Sequence, residues 1–323
     1  MICLAHQPHA ESVLGKFFVF ASASMRELVR NVQQVARCNA AVLISGESGS
    51  GKELIARALH QYSLRCNNPW IDINSGALPE HLVESELFGY EKGAFSGAES
   101  TKLGLFELAH TGTLFLDEIA ELEPRTQVKL LRVLDGAPHY RLGGVHKVCV
   151  DVRVIAATSR DLEEVMQRGT FRRELYYRLR QIHLKVPPLR ERPEDIRPLA
   201  ELFLRESAPA CTFSTEALEA LQRYSWPGNV RELKNTVVAA SALARGPEIT
   251  LVDLPPEINA RVRAPNCATP TRLKEMEQQM ITQALAKTGG SFQRAAAMLG
   301  ISKRTLSRKL RRYEIEDAQC MAV

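Results

Sequence analysis

Ala41–Ser45 reads AVLIS and runs directly into Gly46-Glu47-Ser48-Gly49-Ser50-Gly51-Lys52-Glu53, after which Leu54, Ile55, Ala58 and Leu59 recur at helical spacing. An apolar strand, a glycine-rich turn and an amphipathic helix in that order form a phosphate-binding loop. The glycines let backbone amides curl around an anion, the helix N-terminus faces it, and Lys52 adds a point charge. The flanking strand and helix separate this pattern from a bare glycine-rich turn. Glu53 departs from the general motif, standing where a Ser or Thr hydroxyl would ligate magnesium.

A second apolar run, Leu114-Phe115-Leu116, ends in Asp117-Glu118. Downstream of a phosphate loop, this acidic pair reads as a hydrolytic centre, with Asp117 holding magnesium and Glu118 orienting or polarising the attacking water. The strand expected at Val152–Ala157 ends at Thr158-Ser159, a polar pair expected near the terminal phosphate. Arg172 and Arg178 lie six residues apart in the stretch FRRELYYR. On spacing alone they read as surface ion-pair residues. In a ring enzyme, a guanidinium from one subunit can instead stabilise transition-state charge in the next.

Between residues 22 and 186, short apolar runs alternate with amphipathic stretches, the pattern of an α/β domain with a mainly parallel sheet. Strands are expected at Ala41–Ser45, Trp70–Ile73, Thr113–Leu116 and Val152–Ala157. After Pro187-Pro188 the period becomes helical, with Ile196, Leu199, Leu202 and Phe203 on one face, and an all-α subdomain is expected over 187–258. A linker containing Pro265 and Pro270 follows over 259–272. A third unit is expected over 273–314, with a short segment at 1–21 and a tail at 315–323.

In that third unit Leu273, Met276, Met280 and Ala284 keep helical spacing, and Gly289-Gly290 closes the helix. Ser291 is positioned to cap the next helix and Gly300 supplies the turn. Ser302 caps a last helix, with Ile301 and Leu306 as its hydrophobic staple. Leu306 and Leu310 face one way while Arg304, Arg308 and Arg311 face the other, giving a helix-turn-helix with a basic recognition face. Ser302, Lys303, Thr305, Ser307 and Arg312 complete the candidate DNA contacts. The charge distribution agrees: residues 261–313 hold 12 Lys and Arg against two Asp and Glu, whereas the whole chain carries only +5.

Composition narrows the remaining classes. A chain of 323 residues with 45% hydrophobic content can bury a large core divided among two or three domains. The apolar patch Phe17–Phe20 is too short to cross a bilayer, so a cytoplasmic protein without a membrane partner is expected. Seven cysteines, Cys3, Cys38, Cys66, Cys149, Cys211, Cys267 and Cys320, lack paired short spacings. They read as reduced, mostly packed thiols rather than zinc ligands or a disulfide framework.

The order of motifs resembles the bacterial enhancer-binding proteins, AAA+ activators of sigma-54 RNA polymerase. The likeness covers residues 22–314 and rests on Gly46–Glu53, Glu84–Gly89, Gly93–Ala98, Gly112–Glu118, Phe171–Arg178, Pro187–Arg192 and Trp226–Leu233. It implies an AAA+ P-loop ATPase with a parallel sheet, an all-α lid and a C-terminal Fis-type helix-turn-helix. In such a protein the loop commonly ends in Lys-Glu, which accommodates Glu53. The implied ligands are ATP and magnesium; the implied partners are sigma-54 RNA polymerase holoenzyme, upstream enhancer DNA and further copies of the chain, from dimer to hexameric ring.

The resemblance also implies residue roles. Arg172 and Arg178 would be fingers acting across the ring interface, and Arg231 would report nucleotide state from the lid. Asn74 would be a switch residue pairing with Glu118. The segment Gly93-Ala94-Phe95-Ser96-Gly97-Ala98 would be the loop that contacts sigma-54, its aromatic tip flanked by glycines as an exposed partner site requires. Ser96 keeps the hydroxyl of the family's usual Thr but not its methyl. The alternative is therefore a DNA-binding AAA+ regulator that does not productively engage sigma-54. About forty residues precede the phosphate loop, fewer than the ~100 of a common domain. The expectation is a stand-alone activator without an N-terminal regulatory domain, controlled by its abundance or by a regulatory protein in trans.

Overall fold

The computed structural model describes residues 10–13, 16–263, 280–285, 288 and 291–312. A hairpin, β1 (Ala10–Val13) antiparallel to β2 (Lys16–Val19), precedes helix α1 (Ala23–Ala36). Then follow β3 (Val42–Ser45), α2 (Lys52–Gln61), β4 (Trp70–Asn74), α3 (Glu80–Phe88), α4 (Leu105–Leu108), β5 (Thr113–Asp117) and α5 (Pro124–Leu134). Next come β6 (Arg153–Thr158), α6 (Leu162–Gln167), α7 (Arg173–Leu179) and β7 (Ile182–Lys185). The sheet is parallel, in the order β4-β5-β6-β3-β7. Each of the four expected strands is present, shifted by a residue at one end or both; β7 is a fifth that the sequence reading did not single out.

Side chains alternate between the two faces of a strand, and the core divides accordingly. Val42, Ile44, Phe115, Ile155 and Ala157 pack with α1 and α2 on one face. Leu43, Leu114, Leu116, Val154 and Ala156 pack with the helices of the other face. Apolar residues are needed on both sides because a parallel sheet is covered on both sides. This explains why the central strands read as unbroken apolar runs.

The lid contains α8 (Ile196–Ser207), α9 (Thr215–Arg223), α10 (Asn229–Leu243) and α11 (Pro256–Arg263) around its own apolar cluster. It is helical apart from a two-residue parallel pair, β8 (Thr212–Phe213) with β9 (Glu248–Ile249). Residues Met1–Arg263 form one compact unit and Ala264–Val323 another. The second unit contains a helical stretch at 280–285, α12 (Phe292–Met298) and α13 (Lys303–Arg312).

Two expectations need correction. Cys38, Cys66 and Cys149 are exposed and Cys211 is half-buried, so the described thiols are not mostly packed; the exposed three lie in connections between elements. Cys3, Cys267 and Cys320 lie outside the described residues. Ser291 occupies the N-cap position of α12, yet its side chain makes no capping bond. Leu273, Met276, Gly289-Gly290, the linker prolines Pro265 and Pro270, and the tail at 315–323 also lie outside them.

Arg153 is a polar residue deep in the sheet, 2% exposed. Its guanidinium donates to the carbonyls of Ala36 at 2.5 Å and Val35 at 3.0 Å, closing the C-terminal end of α1, which has no basic residue in its own last turn. Both are charge-assisted bonds at a helix end, where carbonyls run out of intrahelical partners; the Val35 carbonyl is shared with the Cys38 amide at 3.0 Å. Replacing Arg153 with Met should destabilise the chain by about 2–3 kcal/mol, read as a lower urea midpoint at unchanged slope.

Candidate active site

The turn after β3 leads into α2 so that the helix N-terminus opens beside the strand ends. Gly49 has φ of +74°, and a Cβ there would come within 2.5 Å of the Gly228 carbonyl, so the position admits only glycine. That close approach docks the lid onto the turn, with the Val230 amide donating to the Gly49 carbonyl at 3.0 Å. Lys52 is 6% exposed and folds back, donating to the carbonyls of Gly46 at 2.9 Å and Glu47 at 3.3 Å. Burial lowers its pKa from the ordinary lysine value. Ser50 Oγ is buried and has no hydrogen-bond partner among the described residues. Glu53 turns onto its own helix and accepts from Arg57 Nε at 2.9 Å.

At the end of β5, burial and then the neighbouring Glu118 raise the Asp117 carboxyl above the usual range. Strand register explains its neighbours. Asn74 and Asp117 are directly paired across β4 and β5, so Asn74 Nδ2 donates to Asp117 Oδ2 at 3.2 Å. Asn74 Oδ1 accepts the Gly76 amide at 2.9 Å. The expected pairing of Asn74 with Glu118 is therefore not present. Glu118 has φ of +50° and turns towards β6, where one oxygen accepts from both the amide and the hydroxyl of Ser159, at 3.0 and 2.8 Å. Its other oxygen lies 3.8 Å from Lys52 Nζ. Thr158, level with Ser45 across β6 and β3, is buried and accepts the Arg160 amide at 3.1 Å.

The lid closes the other side of a cleft of about 510 Å³, which is bordered by Gly49, Gly51, Lys52, Asp117, Glu118 and Arg231. Arg231 Nη1 donates to Ser48 Oγ at 3.0 Å. Glu47 faces the lid instead: it accepts from Arg190 at 2.6 and 2.8 Å and from Asn229 Nδ2 at 3.0 Å. Sequence reasoning missed Arg190 and Asn229 as partners of the turn. The stretches PPLRER and WPGN carried the signal, but neither reveals which distant carboxylate it meets.

The remaining candidate residues lie apart from this cleft. Arg172 is exposed ahead of α7. Arg178 donates to the Leu134 carbonyl at 2.7 and 3.1 Å and pairs with Asp135 at 3.1 Å, so it is tied to the end of its own α5. Phe95 is 43% exposed and meets Tyr90 edge-on at 5.0 Å. Gly93, Ala94, Ser96 and Gly97 surround it in a compact turn closed by the Gly93 amide on the Ala98 carbonyl at 2.9 Å, with Ala98 buried.

In the C-terminal unit Leu306 and Leu310 are buried with Ile281, Ala284, Leu285, Ala295 and Ala296, and Ile301 packs against them. Lys303, Arg304 and Arg308 are exposed, while Thr305 and Ser307 are half-buried. Ser302 Oγ accepts the Thr305 amide at 3.1 Å, the expected cap. Arg311 and Arg312 continue α13, and their side chains lie outside the described residues.

Hydrogen bonds from Arg190 and Asn229 hold the Glu47 carboxyl down at about 2, from 4.5. A depressed folded value means that the stabilisation is complete above 4.5 and is lost as pH falls through about 2. Glu47→Gln should therefore lower Tm at neutral pH, and the gap from the parent should close progressively as the pH drops below 4.5.

The sigma-54 interaction domain family matches residues 18–185, the AAA+ ATPase lid domain residues 190–270, and the bacterial regulatory protein Fis family residues 272–313. The regulatory protein AtoC of Escherichia coli (strain K12) is 45% identical over 97% of this chain and 71% of its own length. The DNA-binding transcriptional regulator NtrC of the same organism is 42% identical over 91% of this chain and 69% of its own. Among solved structures, NtrX of Brucella abortus in complex with ATP has a TM-score of 0.71 at 35% identity, covering 92% of this chain and 70% of that one. A helical lid on a phosphate loop, an acidic pair at the end of β5 and a separate basic helix-turn-helix thus coincide with three consecutive domain matches, and the chain belongs to the sigma-54-dependent activators, AAA+ ATPases with a Fis-type DNA-binding domain.

Proposed function

We propose that this chain assembles on upstream enhancer DNA, from dimers into a hexameric ring, in the cytoplasm. There its ATPase drives the Phe95 loops against the sigma-54 RNA polymerase holoenzyme, turning closed promoter complexes into open ones. The observation that carries this reading is the convergence of Lys52, Asp117, Glu118 and Arg231 on one cleft between sheet and lid. The half-exposed Phe95 and the exposed basic residues of α13 supply the other two surfaces that such a machine needs.

The residues present fit a magnesium nucleotide. Ser50 Oγ is buried without a described partner, and Asp117 and Glu118 are adjacent carboxylates with Lys52 as the cation beside them. A divalent cation held by Asp117 would neutralise phosphate charge. The turn Gly46 to Lys52 would cradle the phosphates, and Glu118 would orient the attacking water. Ser159 and Thr158 would lie near the terminal phosphate, and Arg231 would sense it from the lid. Arg172 reaches the neighbouring subunit's site; Arg178 joins it on leaving the Leu134 carbonyl. Gly93–Ala98 is the sigma-54 contact, and the helix from Ser302 to Arg312 enters the major groove.

Because Ser159 and not Asn74 holds Glu118, the two residues should fail differently. Ser159→Ala should lower kcat about tenfold or more at unchanged ATP affinity, while Asn74→Ala should raise the magnesium concentration needed for nucleotide binding. Glu118→Ala should bind ATP while hydrolysis drops by about 10²–10⁴. The decisive assay is open-complex formation on a sigma-54 promoter with ATP. Opening that disappears with Phe95→Ala supports the activator; active ATPase without opening transfers the assignment to a DNA-binding regulator that does not engage sigma-54.

A further inference from the structure

A line of buried polar groups runs from the first helix to the phosphate loop, and no role described above uses it. Ser22, the N-cap of α1, donates its amide to Asp195 Oδ1 at 2.7 Å and its hydroxyl to Asp195 Oδ2 at 3.0 Å. Asp195 is fully buried and lies 3.7 Å from Arg192, itself 3% exposed. Arg192 Nη2 then donates to the Ser50 carbonyl at 2.5 Å. Three segments distant in sequence thus meet in one chain of charge and hydrogen bonds. The residues just before Ser22 bridge the same seam: Val19 belongs to the lid cluster, and Phe20 packs against the sheet cluster.

A buried ion pair is a poor source of stability, since its desolvation cost offsets its attraction and apolar residues of similar volume commonly do as well. Geometry supplies a better reason for this one. A trans peptide points its carbonyl and its N–H in opposite directions. A guanidinium gripping the Ser50 carbonyl therefore turns the Gly51 N–H away from Arg192. Gly51, with φ of +105°, borders the cleft beside Lys52. An unanchored glycine peptide is free to flip; this one is fixed by a cation that is fixed in turn by Asp195 and Ser22.

We propose that Arg192, braced by Asp195 and Ser22, is the positioning residue of the phosphate loop. It sets the Ser50–Gly51 peptide for phosphate binding and makes nucleotide affinity depend on where the Val19–Ser22 strap sits. This rests on the nucleotide-binding reading of the loop. The relay acts on ground-state binding, so it changes KM and leaves kcat in place.

The test is a double-mutant cycle on the full chain, with ADP affinity and steady-state ATP hydrolysis as readouts. Arg192→Met should raise the ADP Kd and the ATP KM about tenfold, the loss of one charge-assisted bond, with kcat within about twofold. Ser22→Ala should raise both by about threefold to fivefold, and Ser22→Thr, which keeps the hydroxyl, should restore the parent values. The double variant should match Arg192→Met alone, because the two residues act in series. Additive effects, unchanged Kd, or a fall in kcat at constant KM would overturn the relay. Should Arg192→Met fail to fold, Ser22→Ala and its Thr rescue decide the matter by the same criteria. Lys52→Ala separates the two readings: if it retains ADP affinity, the loop assignment itself fails, whereas its loss with silent Ser22 and Arg192 variants rejects only the relay.

Discussion

Five strands running in the same direction bring their last residues to one edge of the sheet, and that edge sets what the molecule can do. Register then decides which side chains meet. Asn74 is level with Asp117, and Ser45 with Thr158, so neighbours across the sheet are spaced by the strand separation of about 4.8 Å. The phosphate loop leaves β3 and the acidic pair leaves β5, with β6 between them. Lys52 and Glu118 nevertheless come within 3.8 Å, because the loop returns over the strand ends and Glu118 takes a left-handed turn to meet it. An unusual backbone conformation at a residue that bears a side chain belongs where packing over-determines it, and sites of chemistry are such places.

The lid is attached to this edge mainly by polar contacts. Val230 on Gly49, Asn229 on Ser48, Arg190 on Glu47, Arg231 on Ser48 and Arg192 on Ser50 all fall within a few residues of the phosphate loop. The apolar clusters of lid and sheet are separate. Hydrophobic attraction is non-directional, whereas hydrogen bonds hold only over a narrow range of distance and angle. A seam of this kind can exchange one set of bonds for another while both cores stay intact.

The phosphate loop, the acidic strand end and the basic last helix were legible because each is a local pattern: glycine spacing, an apolar run with its terminus, a helical period. The fold class followed from their order. What could not be read was the pairing of residues brought together by register. Asn74 was expected on Glu118 and instead meets Asp117, its ladder partner; Ser159 takes the glutamate because it lies one residue past the end of β6. Arg178 reads on spacing as a surface ion-pair residue and does meet Asp135, but spacing could not name that partner or the Leu134 carbonyl 44 residues away. Glu47 belonged to a phosphate motif by sequence, yet its carboxylate serves the lid, since a side chain in a tight turn points where neighbouring amides do not. The cysteines failed for the opposite reason, because exposure depends on the path of the connections and leaves no periodic trace.

Like charge is gathered in two places, and the physics of the two is the same. Asp117 and Glu118 adjoin at a half-buried strand end, where burial and mutual repulsion raise the aspartate's pKa. Helix α13 has Lys or Arg at six of its ten positions and no acid, including Arg304 and Arg308 one turn apart. Such pairs weaken an isolated helix by a few tenths of a kcal/mol each, so Leu306 and Leu310 must hold it against its own repulsion. A folded chain tolerates concentrated charge of one sign at a cost that a ligand of the opposite sign removes. A cation relieves repulsion at a site of the first kind, and a polyanion at one of the second. At the acidic end Lys52 already lies 3.8 Å from Glu118, so the fold meets part of that charge itself, and any ligand that binds only the folded chain adds to its stability.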